Sequence, residues 1–130
     1  MKYLGIDFGS KRIGLAISDE MGKIAFPYSV ILNNKELIRE IGRIIEKEKI
    51  GEIVIGESKN FKGEPNKIMV KIKKFKEALE KETKLKVYLE PEFMTSQQAE
   101  QIQGKNDMHD ASAAAIILQS FLDSHVNNSL

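Results

Sequence analysis

The chain has 130 residues, a formal net charge of +1, 42% hydrophobic and 30% charged residues, and no cysteine. That length and composition suit one folded domain with a proper core rather than a disordered chain, and the missing cysteines exclude disulfides, thiolate zinc sites and cysteine nucleophiles. The near-neutral charge confines any nucleic-acid footprint to a local patch, while the lack of a leader-like start or a bilayer-length apolar stretch gives the expectation of a cytoplasmic protein with no membrane partner.

Residues 2–8 and 12–18 are two β-type runs joined through Gly9-Ser10, the pattern of a hairpin. The first run is apolar around a single carboxylate, Asp7, and reads as a central strand buried on both faces. An ionised Asp in such a strand costs several kcal/mol unless it is paired or binds a metal. Gly5 and Gly9 flank it, and glycine there admits close approach of a backbone, a phosphate or an ion. The turn Asp19-Glu20-Met21-Gly22 leads into a third strand near 24–31. Residues 35–48 set Leu37, Ile41, Ile44, Ile45 and Glu48 on one stripe of an amphipathic helix. Residues 52–56 form a short buried strand, and the polar loop 57–65 that follows is long for a strand-to-helix connection. A helix from Asn66 to about Glu82 buries Ile68, Ile72, Phe75 and Leu79; a strand over 85–89 is ended by Pro91. Thr95 or Ser96 caps a short helix through Ile102, and a final helix runs from about Met108 to Asp123.

The order β-β-β-α-β-α-β-α-α predicts an α/β fold with a mixed sheet, a three-strand antiparallel meander plus two strands parallel to the first. Residues 1–125 are expected to form the single domain, with 126–130 as a frayed tail. Ligands of such sheets sit beyond the carboxyl ends of the parallel strands, where Asp7, the 57–65 loop and Glu90 or Glu92 fall.

Three acids distant in sequence can meet at that end: Asp7, Glu92 just past the last strand, and Asp110 in the first turn of the final helix. Clustered carboxylates share protons or recruit a cation, and oxygen ligands favour magnesium or manganese. Each acid also has a plainer role open to it. Asp7 can cap the Gly9-Ser10 turn, Asp110 can be a first-turn acid behind an Asp107 cap, and Glu92 can be a solvated loop acid with Glu90 as its rival.

With these residues in view, the chain resembles the YqgF/RuvX-like family, known as Holliday-junction resolvases and as pre-16S ribosomal RNA nucleases. The resemblance rests on Gly5-Ile-Asp7-Phe-Gly-Ser-Lys-Arg-Ile-Gly14, Ala16-Ile-Ser-Asp19, Gly56 with Asn60-Phe-Lys-Gly63, and Asp110-Ala-Ser-Ala-Ala with Ile117-Leu-Gln119-Ser-Phe-Leu122. It implies a ribonuclease H-like fold and metal-dependent nuclease chemistry, with Asp7, Glu92 and Asp110 as catalytic residues holding Mg²⁺ or Mn²⁺. Two metals about 3.5–4 Å apart would serve phosphodiester cleavage. The segment the family usually writes like Asp-Glu-Arg-Leu-Thr-Thr stands here as Pro91-Glu92-Phe93-Met94-Thr95-Ser96, so its arginine is a phenylalanine, which cannot hold a phosphate bidentately.

Lys11 and Arg12 follow the Asp7 strand and would flank a scissile phosphate; Lys59 and Lys62 lie in the loop that should border the acids. Residues 59–76 hold seven lysines against one acid, Glu64, and Lys67, Lys71 and Lys74 share a helical face that either tracks a nucleic-acid backbone or is simply solvated. The expected function is a metal-dependent endonuclease acting on structured RNA or branched DNA, foremost at the pre-16S rRNA 5′ end. A Holliday-junction resolvase-like DNA endonuclease and a nucleic-acid-binding member without efficient cleavage remain as alternatives, and a weak homodimer is left open. A nucleotide-binding reading of Gly5-Ile-Asp7-Phe-Gly-Ser, on its likeness to the actin/sugar-kinase phosphate loop, needs a second such domain for which this chain is too short.

Overall fold

A computed structural model describes residues 1–57, 67–91 and 109–127. In chain order these form β1 (Lys2–Phe8), β2 (Arg12–Ser18), β3 (Ala25–Leu32), α1 (Leu37–Glu48), β4 (Ile50–Glu57), α2 (Lys67–Thr83), β5 (Lys86–Pro91) and α3 (His109–Phe121). A π-helical turn, Leu122–Val126, continues α3. The short helix expected from Thr95 or Ser96 lies outside the described residues.

The five strands form one sheet in the order β3-β2-β1-β4-β5. β1 pairs antiparallel with β2, and β2 with β3; β4 runs parallel to β1, and β5 to β4. This is the meander with two added parallel strands that the sequence predicts. β1 sits in the middle because both of its faces can be buried. Leu4 and Ile6 are fully buried toward one layer with Ile13, Leu15, Ile53 and Ile55, under α1 and α2. Each such side chain contributes about 1.5–3 kcal/mol of burial. Tyr3, Gly5 and Asp7 take the opposite face by the two-residue alternation of a strand. There Tyr3 joins Ala16, Val54, Leu118, Phe121 and Leu122 in a second, smaller core under α3.

Glu48, which falls on the apolar stripe of α1, is explained by its contacts. It accepts hydrogen bonds from the Tyr28 hydroxyl (3.2 Å) and from Lys2 Nζ (3.3 Å), tying the helix end to β3 and β1. Burial, helped by the Glu48 bond, holds the Tyr28 phenol above its usual pKa. α1 ends on Lys49 in the left-handed region (φ 57°), a position glycine usually fills.

β3 is an edge strand of eight residues without a charge, and Phe26 and Leu32 on it are exposed. Three features blunt it. Pro27 carries no N–H, the register shifts against Leu15/Ala16, and the Ala25 N–H donates to Gln119 Oε1 of α3 at 2.9 Å. Gln119 Nε2 donates in turn to the Lys23 carbonyl and to Asp123.

Candidate nuclease site

The close seating of α3 on β1 positions the site. A Cβ added at Gly5 would stand 2.7 Å from Leu118 Cβ and 3.0 Å from the Ala114 carbonyl oxygen, so only glycine allows this approach. Ala111, Ala113 and Ala114 are buried along the same helix, small enough to keep it near the sheet. Further along, the Tyr3 and Phe121 rings lie 6.0 Å apart. Tyr3 meets Phe121 and Gly5 meets Ala114 and Leu118, so α3 runs antiparallel to β1. Asp7, two residues beyond Gly5, therefore lies toward the N-terminal end of α3. Asp110 is one turn N-terminal of Ala114, about 6 Å along the axis, matching the roughly 6.8 Å from Gly5 to Asp7 in an antiparallel strand. The backbone thus carries two of the three sequence-predicted acids to one end of the sheet.

Asp7 is half-buried and opposite Gly14, which presents no side chain beside it. Its neighbours form an exposed turn of Ser10, Lys11 and Arg12. That turn is built tightly: a Cβ at Gly9 would fall 2.5 Å from the Arg12 carbonyl oxygen. Asn33 holds it from the far side, its amide donating to the Gly9 carbonyl (2.8 Å) and its backbone N–H to the Lys11 carbonyl (2.9 Å). Asn33 escaped the sequence reading because its partner lies 24 residues away and only the β2–β3 pairing brings them together. Lys11 and Arg12 are accordingly displayed at the end of β1 where Asp7 sits.

Glu90 stands in the row of Gly56 on β5, and its side chain is 8% exposed. Ser120 Oγ donates to its Oε2 at 3.1 Å, and His125 Nδ1 lies 3.9 Å from its Oε1. The His125 ring is stacked on Phe121 at 4.5 Å. Glu90 is thus engaged by the C-terminal part of α3, the far end of the helix from Asp110. Glu92, Lys59 and Lys62 lie outside the described residues, as does the side chain of Asp110. Among the described residues no three carboxylate or imidazole groups cluster to hold a metal ion.

The family model described as RuvX, Holliday junction resolvase, matches residues 1–124. The chain belongs to the RuvX family. A relative from Maridesulfovibrio salexigens, named "Putative pre-16S rRNA nuclease", is 37% identical, over 94% of this chain and 98% of its own length. One of the same name from Rickettsia peacockii is 34% identical, over 95% of this chain and 87% of its own. Among solved structures, RuvC of T. thermophilus in complex with a Holliday junction superposes with a TM-score of 0.62 at 17% identity, covering 94% of each chain. The Fowlpox virus resolvase in complex with Holliday junction DNA gives 0.59 at 16% identity, covering 97% of this chain and 99% of its own. The RuvX-family chain therefore has the ribonuclease H-like fold that its motifs imply. No described helix is long and apolar enough to cross a membrane.

Proposed function

We propose that this RuvX-family protein is a divalent-metal-dependent endonuclease for structured nucleic acid, foremost precursor 16S ribosomal RNA. The observation that carries the reading is the seating of α3 on Gly5, which brings the Asp110 end of the helix toward Asp7 at the carboxyl end of β1. The names of the relatives support the RNA substrate. Asp7, Glu92 and Asp110 would hold Mg²⁺ or Mn²⁺, a donor set of oxygens alone that suits these hard cations. Bound there, the metal would activate water for attack and stabilise the leaving oxygen. Lys11, Arg12, Lys59 and Lys62 would hold the flanking phosphates without reading bases. The engagement of Glu90 with Ser120 and His125 supports Glu92 as the second acid.

A four-way DNA junction is the second substrate to weigh, because the matching family description is of a Holliday junction resolvase. The test incubates the wild type and Asp7→Asn with a precursor-16S RNA fragment and with a four-way junction in Mg²⁺, Mn²⁺ and EDTA. The expected result is metal-dependent cleavage by the wild type, abolished in Asp7→Asn while the unfolding midpoint is kept or raised, because a like charge leaves the site. Loss of folding together with activity would make Asp7 a structural residue. Binding without cleavage by the wild type would favour the non-cleaving alternative, in which Phe93 stands for the missing arginine.

A further inference from the structure

We infer that the first two turns of α2 form a backbone-binding ledge that carries the nucleic acid away from the nuclease site. This rests on the nucleic-acid reading above and extends it to a surface on the other side of the sheet. α2 connects the parallel strands β4 and β5, so it runs back from their carboxyl ends. The Phe75 ring of α2 packs on Phe8, the last residue of β1, at a centroid distance of 4.9 Å. β4 ends in the same row, because Ile6 pairs with Ile55. The first two turns of α2 therefore lie at that end of the sheet, with Met69 and Ile72 buried in the core beneath them. Their outer face adjoins the edge at which Asp7, Lys11 and Arg12 stand.

The exposed face of this helix end is strongly basic. Lys71, Lys73 and Lys74 are exposed, and Lys67 begins the helix. The first turn holds no acid, and none occurs before Glu77. An ion pair of this helix, Lys76 with Glu80 at 3.2 Å, lies beyond them. Among the described residues Lys71, Lys73 and Lys74 have no ion-pair partner. This charge pattern opposes the helix itself, since a macrodipole favours acids in the first turns and bases in the last. Lysines placed against the dipole, on the exposed face of a helix end and beside a proposed phosphodiester site suit a polyanion that runs past that edge. The phosphate backbone of RNA or DNA is that polyanion, and it needs charge rather than side-chain readout.

The test measures binding in the Asp7→Asn background, so that cleavage does not intervene, to a stem-loop RNA and to a four-way DNA junction from 50 to 200 mM salt. Lys71→Gln/Lys73→Gln/Lys74→Gln is compared with Lys23→Gln/Lys47→Gln/Lys81→Gln, which removes the same charge from exposed positions elsewhere. Three phosphate contacts at about 0.7–0.9 each should flatten the log–log salt slope of the first variant by about 2.1–2.7. Across that fourfold salt range its affinity should fall about 18- to 42-fold less than that of the parent. The second variant should keep the parental slope. Should the triple variant fail to fold, Lys71→Gln and Lys74→Gln singly should each lower the slope by about 0.8. A drop with only one probe supports the ledge and names its occupant. Equal slopes for the two triple variants would overturn the ledge and leave the nuclease site standing. No binding by the Asp7→Asn parent would overturn the nucleic-acid reading itself, and the ledge with it.

Discussion

Replacing Gly5 by alanine should uncouple the two halves of the proposed site. The new methyl would lie 2.7 Å from Leu118 Cβ and 3.0 Å from the Ala114 carbonyl oxygen. Carbon atoms pack best at about 3.5–4.0 Å, so α3 must lift from β1 by close to 1 Å or the strand must bow. Overpacking of this kind costs about 1–3 kcal/mol. With an unfolding entropy of about 2.1 cal/mol/K per residue, a chain of this length should lose roughly 4–11 °C in Tm. The lift also moves Asp110 relative to Asp7, and a displacement near 1 Å in a reacting constellation can cost about 100-fold in rate. Thermal unfolding followed by circular dichroism, and cleavage rate at saturating Mn²⁺, read the two effects separately. Adding Leu118→Ala should not restore either, because the obstruction is a Cβ and a backbone oxygen, both of which alanine retains. An unchanged Tm and rate in Gly5→Ala, or full rescue by Leu118→Ala, would refute the claim that this contact sets the helix.

Gly42 in α1 is the matching control: nothing lies within 4 Å of an added Cβ, so Gly42→Ala should raise stability by about 0.5–1 kcal/mol in a urea titration. Ser120→Ala should destabilise by about 1.5–3 kcal/mol, the worth of a hydrogen bond to a charged group, because it strips Glu90 of its donor; denaturant midpoints compared with Ser124→Ala check this. The Ile24 and Lys23 backbone N–H groups hold the Asp19 carboxyl below its usual range. Its contribution is therefore present above the unfolded carboxylate value, about 3.9, and is lost as pH falls through the lower folded value. Asp19→Asn should be less stable than the wild type at pH 6, with the gap narrowing toward pH 2 in parallel denaturation curves.

The hairpin, the buried β1, the amphipathic stripe of α1 and the order of α and β elements were legible because each follows from local periodicity. Asp7 stood out as an acid in an apolar run, and Gly5 as a glycine inside a strand. Tertiary pairing hid the rest. Glu48 looked misplaced on an apolar stripe until Tyr28 and Lys2 were brought to it. Glu90 could not be separated from Glu92 by spacing, since its partners Ser120 and His125 come from a helix 30 or more residues away. α1 stops on a left-handed lysine, Lys49, and a second left-handed lysine, Lys84, follows α2, so the glycine that announces a helix end was missing in both cases.

The grip of Gln119 on Ala25 makes α3 a stopper as well as a carrier of Asp110. If α3 peels away, the first N–H of β3 loses its partner and an uncharged strand bearing Phe26 is left open to another chain. One local event would then silence the protein and render it adhesive. Samples that have lost activity by this route should be found in aggregates rather than as inert monomers. Solubility after mild heating would then track the residual cleavage rate.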